Sequence, residues 1–277
     1  MGESESLHFV PASSFTLEAF AQLYTHSFER YFYPMMQTVE GFAARVRSEQ
    51  LDMYRSVVLM LGETPAGQAT LALRGEQAWC GGFGIVPEYR GRKLGGPLFA
   101  ELISQARLAS AKMLTLEVLT HNTPALKTYT GAGMRVVRAV RLFEWKRNVQ
   151  THQAAFTPAT ANMAEVSACF HRLHPVPAAW GRDLPSLLMQ RGLMQMRVMR
   201  QDVLAGYVLF TWQADVARIV DLAASHLDDA TALLTQLQAH CTKITSINEP
   251  DDSPLTAAFE RCEFSEFDRQ YELVMDL

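Results

Sequence analysis

The stretch Val86-Pro-Glu-Tyr-Arg-Gly-Arg-Lys-Leu-Gly-Gly-Pro-Leu98 decides how this chain of 277 residues is read. It lies between a run of strand character, Ala78 to Val86, and a helix whose first turn holds Pro97 and whose one face carries Leu98, Leu102, Ala106 and Ala109. A passage from strand to helix aims successive backbone N–H groups, and the positive end of the helix dipole, at one spot in front of the helix. Gly91, Gly95 and Gly96 let the backbone come close to a bulky anion, and Arg90, Arg92 and Lys93 add positive charge beside it. The ligand this predicts is a phosphate or pyrophosphate held mainly by main chain.

The flanking segments place the loop in a larger pattern. Upstream, Leu17, Phe20, Tyr24, Phe28 and Tyr31 recur at helical spacing, and a second helix is predicted from Thr38 as its cap, burying Val39, Phe42 and Val46. Strands are predicted over 56–61, 68–73 and 78–86, with turns at Gly62–Gly67 and Arg74–Glu76. Downstream come a strand at 113–119, a short helix from Thr123-Pro124 to about Gly131-Ala-Gly133, and a closing strand at 136–145. The polar segment Gln150 to Pro158 reads as a linker, which gives domains at 1–149 and 150–277. The second half repeats the order of helices and strands. Thr123-Pro124 matches Ser253-Pro254, Tyr129 matches Phe259 and Met134 matches Phe264, all at one offset, so an internal duplication is expected.

Composition narrows the class of protein. Hydrophobic residues at 48% and charged residues at 19% describe an ordinary globular chain with enough length for two cores. No apolar run is long enough for a membrane span, and the first residues lack the pattern of a signal peptide, so a cytoplasmic protein with no membrane partner is expected. Cys80, Cys169, Cys241 and Cys262 are scattered, which argues against a disulfide framework or a zinc site, and no metal is expected. Residues 1–150 carry 16 Lys and Arg against 13 Asp and Glu, while the remainder carries 9 against 16. Glycine divides the same way, with 13 in the first part and 3 in the second. An anionic ligand thus belongs to the first half, and the excess of positive charge is far too thin for nucleic acid.

A second stretch, Leu114 to Met134, contains Asn122, Ala125, Tyr129 and Gly133 at the spacing N-x-x-A-x-x-x-Y-x-x-x-G. Together the two stretches resemble the GNAT superfamily of acyl-CoA-dependent N-acyltransferases. Its loop signature is V-x-P-x-x-[RQ]-x-x-G-x-[GA], on which Val86, Pro87, Arg90 and Gly95 nearly fall, with the spacing from valine to proline closed by one. Lys93 departs from it, standing where the first loop glycine is usual. Met134 departs from the second signature, in which an aromatic residue is usual. The resemblance covers residues 5–147 well.

The resemblance implies an α/β (α+β) fold of two tandem GNAT-like modules, each a mixed, mainly antiparallel sheet flanked by helices. It implies acetyl-CoA as co-substrate, bound through Ile85, Val86, Arg90, Gly91, Arg92, Lys93, Leu94, Gly95, Gly96, Asn122 and Tyr129. The backbone of Phe83 to Val86 would meet the thioester carbonyl and the pantetheine arm. The reaction would be direct acetyl transfer to a primary amine, with a small-molecule acceptor and no covalent enzyme intermediate. Tyr129, a phenol protonated at neutral pH, is the candidate acid for the departing thiolate. Glu117 lies on the strand face opposite Leu114, Leu116 and Val118 and is the candidate base, with His121 and His26 behind it. Phe28, Tyr31, Phe32 and Tyr33, with neighbouring Tyr24, Met35 and Met36, form an aromatic run expected to line the acceptor pocket.

The second half has no such machinery. Its counterpart loop, Leu222-Ala-Ala-Ser-His-Leu-Asp-Asp-Ala230, has neither glycine nor arginine, and Asp228 and Asp229 sit where they cap the helix and repel a pyrophosphate. His171-x-x-His174 has the spacing of a metal pair but no nearby third ligand, and reads as incidental. The C-terminal module is therefore expected to be a degenerate copy. Two rivals stay open on these residues: a non-catalytic acyl-CoA-binding sensor or regulator, and an acyltransferase for longer chains. Nothing in the pattern fixes an oligomeric state.

Overall fold

The computed structural model describes residues 6–147 and 157–277. The first half runs β1 (Leu7–Pro11), α1 (Leu17–Ser27), α2 (Val39–Glu49), β2 (Val57–Leu61), β3 (Thr64–Arg74), β4 (Gln77–Ile85), α3 (Gly95–Leu108), β5 (Met113–Leu119), α4 (Thr123–Gly131) and β6 (Arg135–Lys146). The second runs β7 (Ala159–Thr160), α5 (Met163–Leu173), α6 (Leu184–Met189), β8 (Met194–Arg200), β9 (Val203–Gln213), β10 (Val216–Ala224), α7 (Leu227–Gln238), β11 (Lys243–Pro250), α8 (Thr256–Arg261) and β12 (Ser265–Asp276). Most of the expected linker, 150–156, lies outside the described residues.

Two compact units divide the chain: Met1–Val137 with Glu272–Leu277, and Arg138–Tyr271. This differs from the division at 149 and 150 expected from linker composition. The alternation along a strand tells which face is buried but not which strand lies beside it. Most of β6 therefore belongs to the second unit although it comes after α4, and the end of β12 belongs to the first.

In the first unit the strand order is β1-β2-β3-β4-β5, with the end of β12 beside β5. Pairing is antiparallel from β1 to β4 and parallel between β4 and β5. This is the expected mixed, mainly antiparallel sheet. β2 is buried along its whole length, and α3 turns Leu98, Phe99, Leu102, Ile103 and Ala106 inward. Phe20 and Tyr24 of α1 pack on Phe42 of α2 with ring centroids 5.3 and 5.5 Å apart. The predicted cap of α2 is in place, since the Thr38 hydroxyl accepts from the Gly41 amide at 3.0 Å. The aromatic spacing that predicted α1 through Tyr31 overran its end. The helix stops at Ser27, and Arg90 Nη2 donates to the carbonyls of Ser27 (3.0 Å) and Glu29 (2.7 Å), satisfying oxygens that further helix would have used.

In the second unit the order is β12-β6-β11-β10-β9-β8-β7, and from β6 to β7 only the pair β10 and β11 is parallel. One core gathers Leu233, Leu234 and Leu237 of α7 with Phe210, Ile219, Ile244 and Phe259, and a second gathers Val166, Phe170 and Leu173 of α5 with Tyr207 and Leu209. The units share their measurements. β3 and β9 have 11 residues each, β4 and β10 have 9, and β6 and β12 have 12. No helix among the described residues is long and apolar enough to cross a membrane.

Candidate active site

The site begins where two parallel strands part. β4 and β5 pair only from Gln77–Met113 to Trp79–Thr115, and beyond Trp79 the edge of β4 that faced β5 has no strand beside it among the described residues. Val86 donates its amide to the Ala66 carbonyl of β3 at 3.0 Å. Because main-chain groups alternate between the two edges of a strand, Gly84 and Gly82 also face β3, and the N–H groups of Phe83 and Ile85 face the opened edge. The Ile85 carbonyl agrees, accepting from Arg90 Nε at 2.9 Å rather than from β3. Helix α1 lies directly on this part of the sheet. A Cβ at Gly82 would come within 2.6 Å of the Tyr24 ring, and one at Gly84 within 2.7 Å of the Ser27 hydroxyl.

The loop between β4 and α3 presents its main chain outward. After a single 3₁₀ turn at Pro87–Tyr89, no amide from Gly91 to Gly96 has a hydrogen-bond partner among the described residues. Helix α3 starts at Gly95 with no capping side chain and no acidic residue in its first turn, which leaves its positive end unneutralised. Gly91 (φ 80°) and Lys93 (φ 60°) both adopt left-handed backbone, a conformation from which anion-binding runs of amides are built. Lys93 thus takes the conformation that favours glycine, at about 1 kcal/mol or somewhat more. Of the three cations read beside the loop, Arg90 is spent on the carbonyls of Ile85, Ser27 and Glu29, so it ties the loop to the end of α1. Arg92 stacks over the Tyr89 ring at 4.9 Å.

Tyr129 is buried between Phe83 and Phe99, with ring centroids 5.7 and 4.9 Å away. Burial drives its phenol well above the usual range, and the nearby Cys80 and Tyr31 push the same way. Asn122 caps α4, its Oδ1 accepting from the Ala125 amide at 3.4 Å, so it aims Tyr129 from the start of the helix. Glu117 lies on the part of β5 that has left β4, and the Trp79 indole donates to its Oε2 at 2.7 Å. The first unit's one cysteine, Cys80, is buried, and burial pushes its thiol up to about 12.

The aromatic run forms a ladder. Ring centroids step from Tyr24 to Phe28 (4.8 Å), to Tyr31 (5.2 Å), to Phe32 (5.2 Å) and to His121 (4.5 Å) at the end of β5. Phe32 is 51% exposed, while Phe28, Tyr31 and Tyr33 are half-buried. His26 is drawn away from this wall, its ring 3.2 Å from Glu88 at the surface. Sequence reading gave Cys80 no part in the site and did not name Trp79 or Arg45, whose Nη2 donates to the Gly81 carbonyl at 2.6 Å. The available signal was Gly81-Gly82-Phe83-Gly84, three glycines in four positions of a strand, which marks a bulge or a close approach.

The corresponding place in the second unit is filled. β10 and β11 part after Ile219–Ser246, and the opening holds Asp221 and Glu249, both buried, around Arg182. Arg182 Nη2 lies 3.4 Å from Asp221 Oδ1 and 2.7 Å from Glu249 Oε1. The Tyr207 hydroxyl donates to Asp221 Oδ2 at 2.9 Å, and His174 Nε2 is 3.2 Å from Oδ1. His174, read as incidental, therefore belongs to a buried charge network. Asp228 and Asp229 do not cap α7: His226 stands at that position, Asp229 pairs with Arg200 at 2.7 Å, and Asp228 pairs with Arg261 at 3.0 Å. Phe259, in the place of Tyr129, stacks flat on Phe143 at 4.7 Å. Among the described residues no group of three or more His, Cys, Asp or Glu is placed to hold a metal ion.

The family model of the acetyltransferase (GNAT) family matches residues 17–134. Comparison with curated proteins returns no match. Among solved structures, the chain is similar to a GCN5-related N-acetyltransferase from Sphaerobacter thermophilus, with TM-score 0.69, 16% identity, and 98% of this chain and 95% of that one covered. It is similar to a tandem GNAT protein from the clavulanic acid biosynthesis pathway, with TM-score 0.67, 18% identity and 98% of both chains covered. A GCN5-related N-acetyltransferase from Anabaena variabilis gives TM-score 0.66 at 14% identity, over 97% of this chain and 72% of that one. Residues 17–134 thus form a domain of the acetyltransferase (GNAT) family, in a chain whose fold along nearly its full length is that of tandem GNAT proteins.

Proposed function

We propose that the first unit transfers the acetyl group of acetyl-CoA to a primary amine of a small molecule, by direct attack while both are bound, and that the second unit is a degenerate copy that binds no acyl-CoA. The observation that carries this is the run of unpartnered amides from Gly91 to Gly96 in front of an uncapped helix, next to an opened strand edge. The pyrophosphate fits the first feature and the pantetheine arm the second, with the amides of Phe83 and Ile85 as donors along it. Acetyl-CoA supplies an acyl group already activated as a thioester.

The chain's own groups supply the rest. Glu117 is suited to take a proton from the acceptor's ammonium, directly or through a water, so that the neutral amine can attack, and Trp79 orients its carboxylate. Tyr129 keeps its proton at neutral pH and is suited to deliver it to the departing sulfur. Cys80 stays a protonated thiol, a poor nucleophile, which favours direct transfer over an acyl-cysteine. The ladder from Phe28 to Phe32 gives the acceptor an apolar wall ending at half-exposed Phe32, which suits an amine carried on an apolar body.

The test is thiol release from acetyl-CoA against a panel of small primary amines. Release that depends on an added amine is expected. Binding of acetyl-CoA with no release for any amine would favour the sensor reading, and faster release from longer acyl-CoA esters would favour the long-chain one.

A further inference from the structure

A bulge in β4 decides which of its amides reach the opened edge. Cys80 stands opposite Leu71 and Gly82 opposite Thr70, so Gly81 is the extra residue. Without it the alternation downstream would invert: Gly82 and Gly84 would face the cleft, and Phe83 and Ile85 would turn toward β3. An inserted residue leaves the ladder, and its carbonyl needs another partner. Arg45, from α2, is that partner for Gly81, through Nη2 at 2.6 Å.

Arg45 is itself fixed on two sides. Its Nε donates to both oxygens of Glu49, at 3.0 and 2.9 Å, and its guanidinium lies 4.9 Å above the Tyr24 ring. That ring rests on Gly82, the next residue of the strand. The two glycines at the bulge are thus held from one side by a single packed group, one helical turn of α2 and one ring of α1.

The structure assigns Arg45 as a positioning residue that holds the Gly81 bulge and so keeps the amides of Phe83 and Ile85 on the cleft edge. It acts on the acyl-and-pantetheine end of the cofactor through the backbone and not through contact. This rests on reading the cleft as an acyl-CoA site.

Calorimetric titration of the full chain with two ligands tests it. Acetyl-CoA uses the whole cleft, whereas 3′-phospho-ADP carries the pyrophosphate but neither pantetheine nor acyl group. Arg45→Gln is expected to weaken acetyl-CoA about tenfold or more while leaving 3′-phospho-ADP within about twofold. Glu49→Gln removes the ion pair but not the bond to Gly81, and should leave both affinities within about twofold. Arg45→Lys, which can still donate to the carbonyl, should fall between wild type and Arg45→Gln. An unchanged ratio of the two affinities in Arg45→Gln, or the same loss in Glu49→Gln, overturns the assignment. If Arg45→Gln does not fold, judged by its circular dichroism, the ratio in Arg45→Lys decides, and a wild-type ratio there overturns it. A wild-type chain that binds neither ligand overturns the acyl-CoA reading, whereas wild-type binding with no change in the variants overturns only the role of Arg45.

Discussion

Val86 and Ser225 hold the same place in the two units: each directly follows a nine-residue strand, and each donates its amide to the neighbouring strand before it, to Ala66 and Ala205 respectively. The strands even share a bulge, at Gly81 in one and at Val220 in the other. Immediately after these two residues the units diverge in the length of the loop. Eight residues separate Val86 from the first residue of α3, whereas His226 alone separates Ser225 from α7. The buried faces of the two helices, Phe99, Leu102, Ile103 and Ala106 against Ala230, Leu233, Leu234 and Leu237, align only if those eight residues are missing from the second unit. The core positions match, and the loop proposed to hold the cofactor has no counterpart in the second unit.

The opened edges differ in the same sense. One residue past the bulge the first unit has Gly82, on which the Tyr24 ring rests, and the second has Asp221. Removing a ligand from a splayed pair of strands leaves main-chain groups that still need partners. The second unit meets that need with Arg182, which donates to the Ile247 carbonyl at 3.1 Å and to Ser246 Oγ at 3.3 Å, and with carboxylates that balance it. If the first unit binds acyl-CoA as proposed, the charge network takes the place of the cofactor, and the same architecture is completed in one unit by a ligand and in the other by its own side chains.

The largest expected effect breaks the comparison at the loop. A Cβ on Gly95 would sit 3.7 Å from Phe83 and from the Thr128 hydroxyl, so Gly95→Trp drives an indole into the space between α3 and α4. Acetyl-CoA affinity should fall by about a hundredfold or more in calorimetry, the equivalent of roughly 2.7 kcal/mol. Unchanged affinity would show that the second unit lost nothing of consequence when it lost the loop.

Next comes the acid. Tyr129→Phe makes the first unit resemble the second at the position of Phe259, without disturbing the packing against Phe83 and Phe99. Amine-dependent thiol release should drop about a hundredfold. Acetyl-CoA affinity should stay within about twofold, because the ring and its packing are kept. A rate equal to wild type would remove Tyr129 from the chemistry.

The third prediction addresses the network. Arg182→Met leaves Asp221 and Glu249 buried without their shared cation, and should destabilise the second unit by about 3–5 kcal/mol in urea unfolding. Replacing all three by apolar residues should recover much of that loss. The pH dependence sharpens the point. Both ring nitrogens of His174 meet acceptors, Phe170 O at 2.9 Å and Asp221 Oδ1 at 3.2 Å, so the ring fits best as a cation. Burial lowers its pKa, but Asp221 and these hydrogen bonds outweigh burial and raise it. A raised histidine contributes its full stability below the unfolded value, about 6.5, and loses it as the pH climbs through the folded value. On the acid side, Asp221 is lowered while burial raises Glu249, and the two oppose each other, so the alkaline side is the informative one. His174→Gln should flatten the fall in urea midpoint above neutrality, and an unaltered slope would exclude the imidazolium.

How much of this could be read from the chain depends on how local the cause is. The loop, the cap at Thr38 and most strands of both halves were legible because a helix start, an N-cap or an alternating strand is written within a few consecutive residues, whereas β1 and β7 were not read. The end of α1 was not, since the aromatic period runs on through Tyr31 while the carbonyls of Ser27 and Glu29 are taken by a distant residue, Arg90. The partner of β6 was not, because alternation fixes a face and leaves the neighbour open. Arg45 on Gly81 and His174 on Asp221 join residues 36 and 47 positions apart, and no spacing rule connects them. The acid was visible as a tyrosine at a known spacing, but Cys80 and Phe83 beside it depend on the register of β4.

The smallest expected effect concerns Lys93, where the loop departs from glycine yet keeps a left-handed backbone at φ 60°. Lys93→Gly relieves the clash of a Cβ with the following carbonyl, but also frees the unfolded chain, so the two effects partly cancel. A net gain of about 0.5 kcal/mol in unfolding free energy is expected. The exposed lysine head also stands close to where the pyrophosphate would lie, and its loss should weaken acetyl-CoA by about threefold at low ionic strength, an effect that fades in salt. Stability up and affinity slightly down would show that the lysine was kept for its charge against a conformational penalty. Affinity unchanged at every salt concentration would mean that the backbone amides alone hold the anion, and that the first unit differs from the second by its loop geometry and not by its cations.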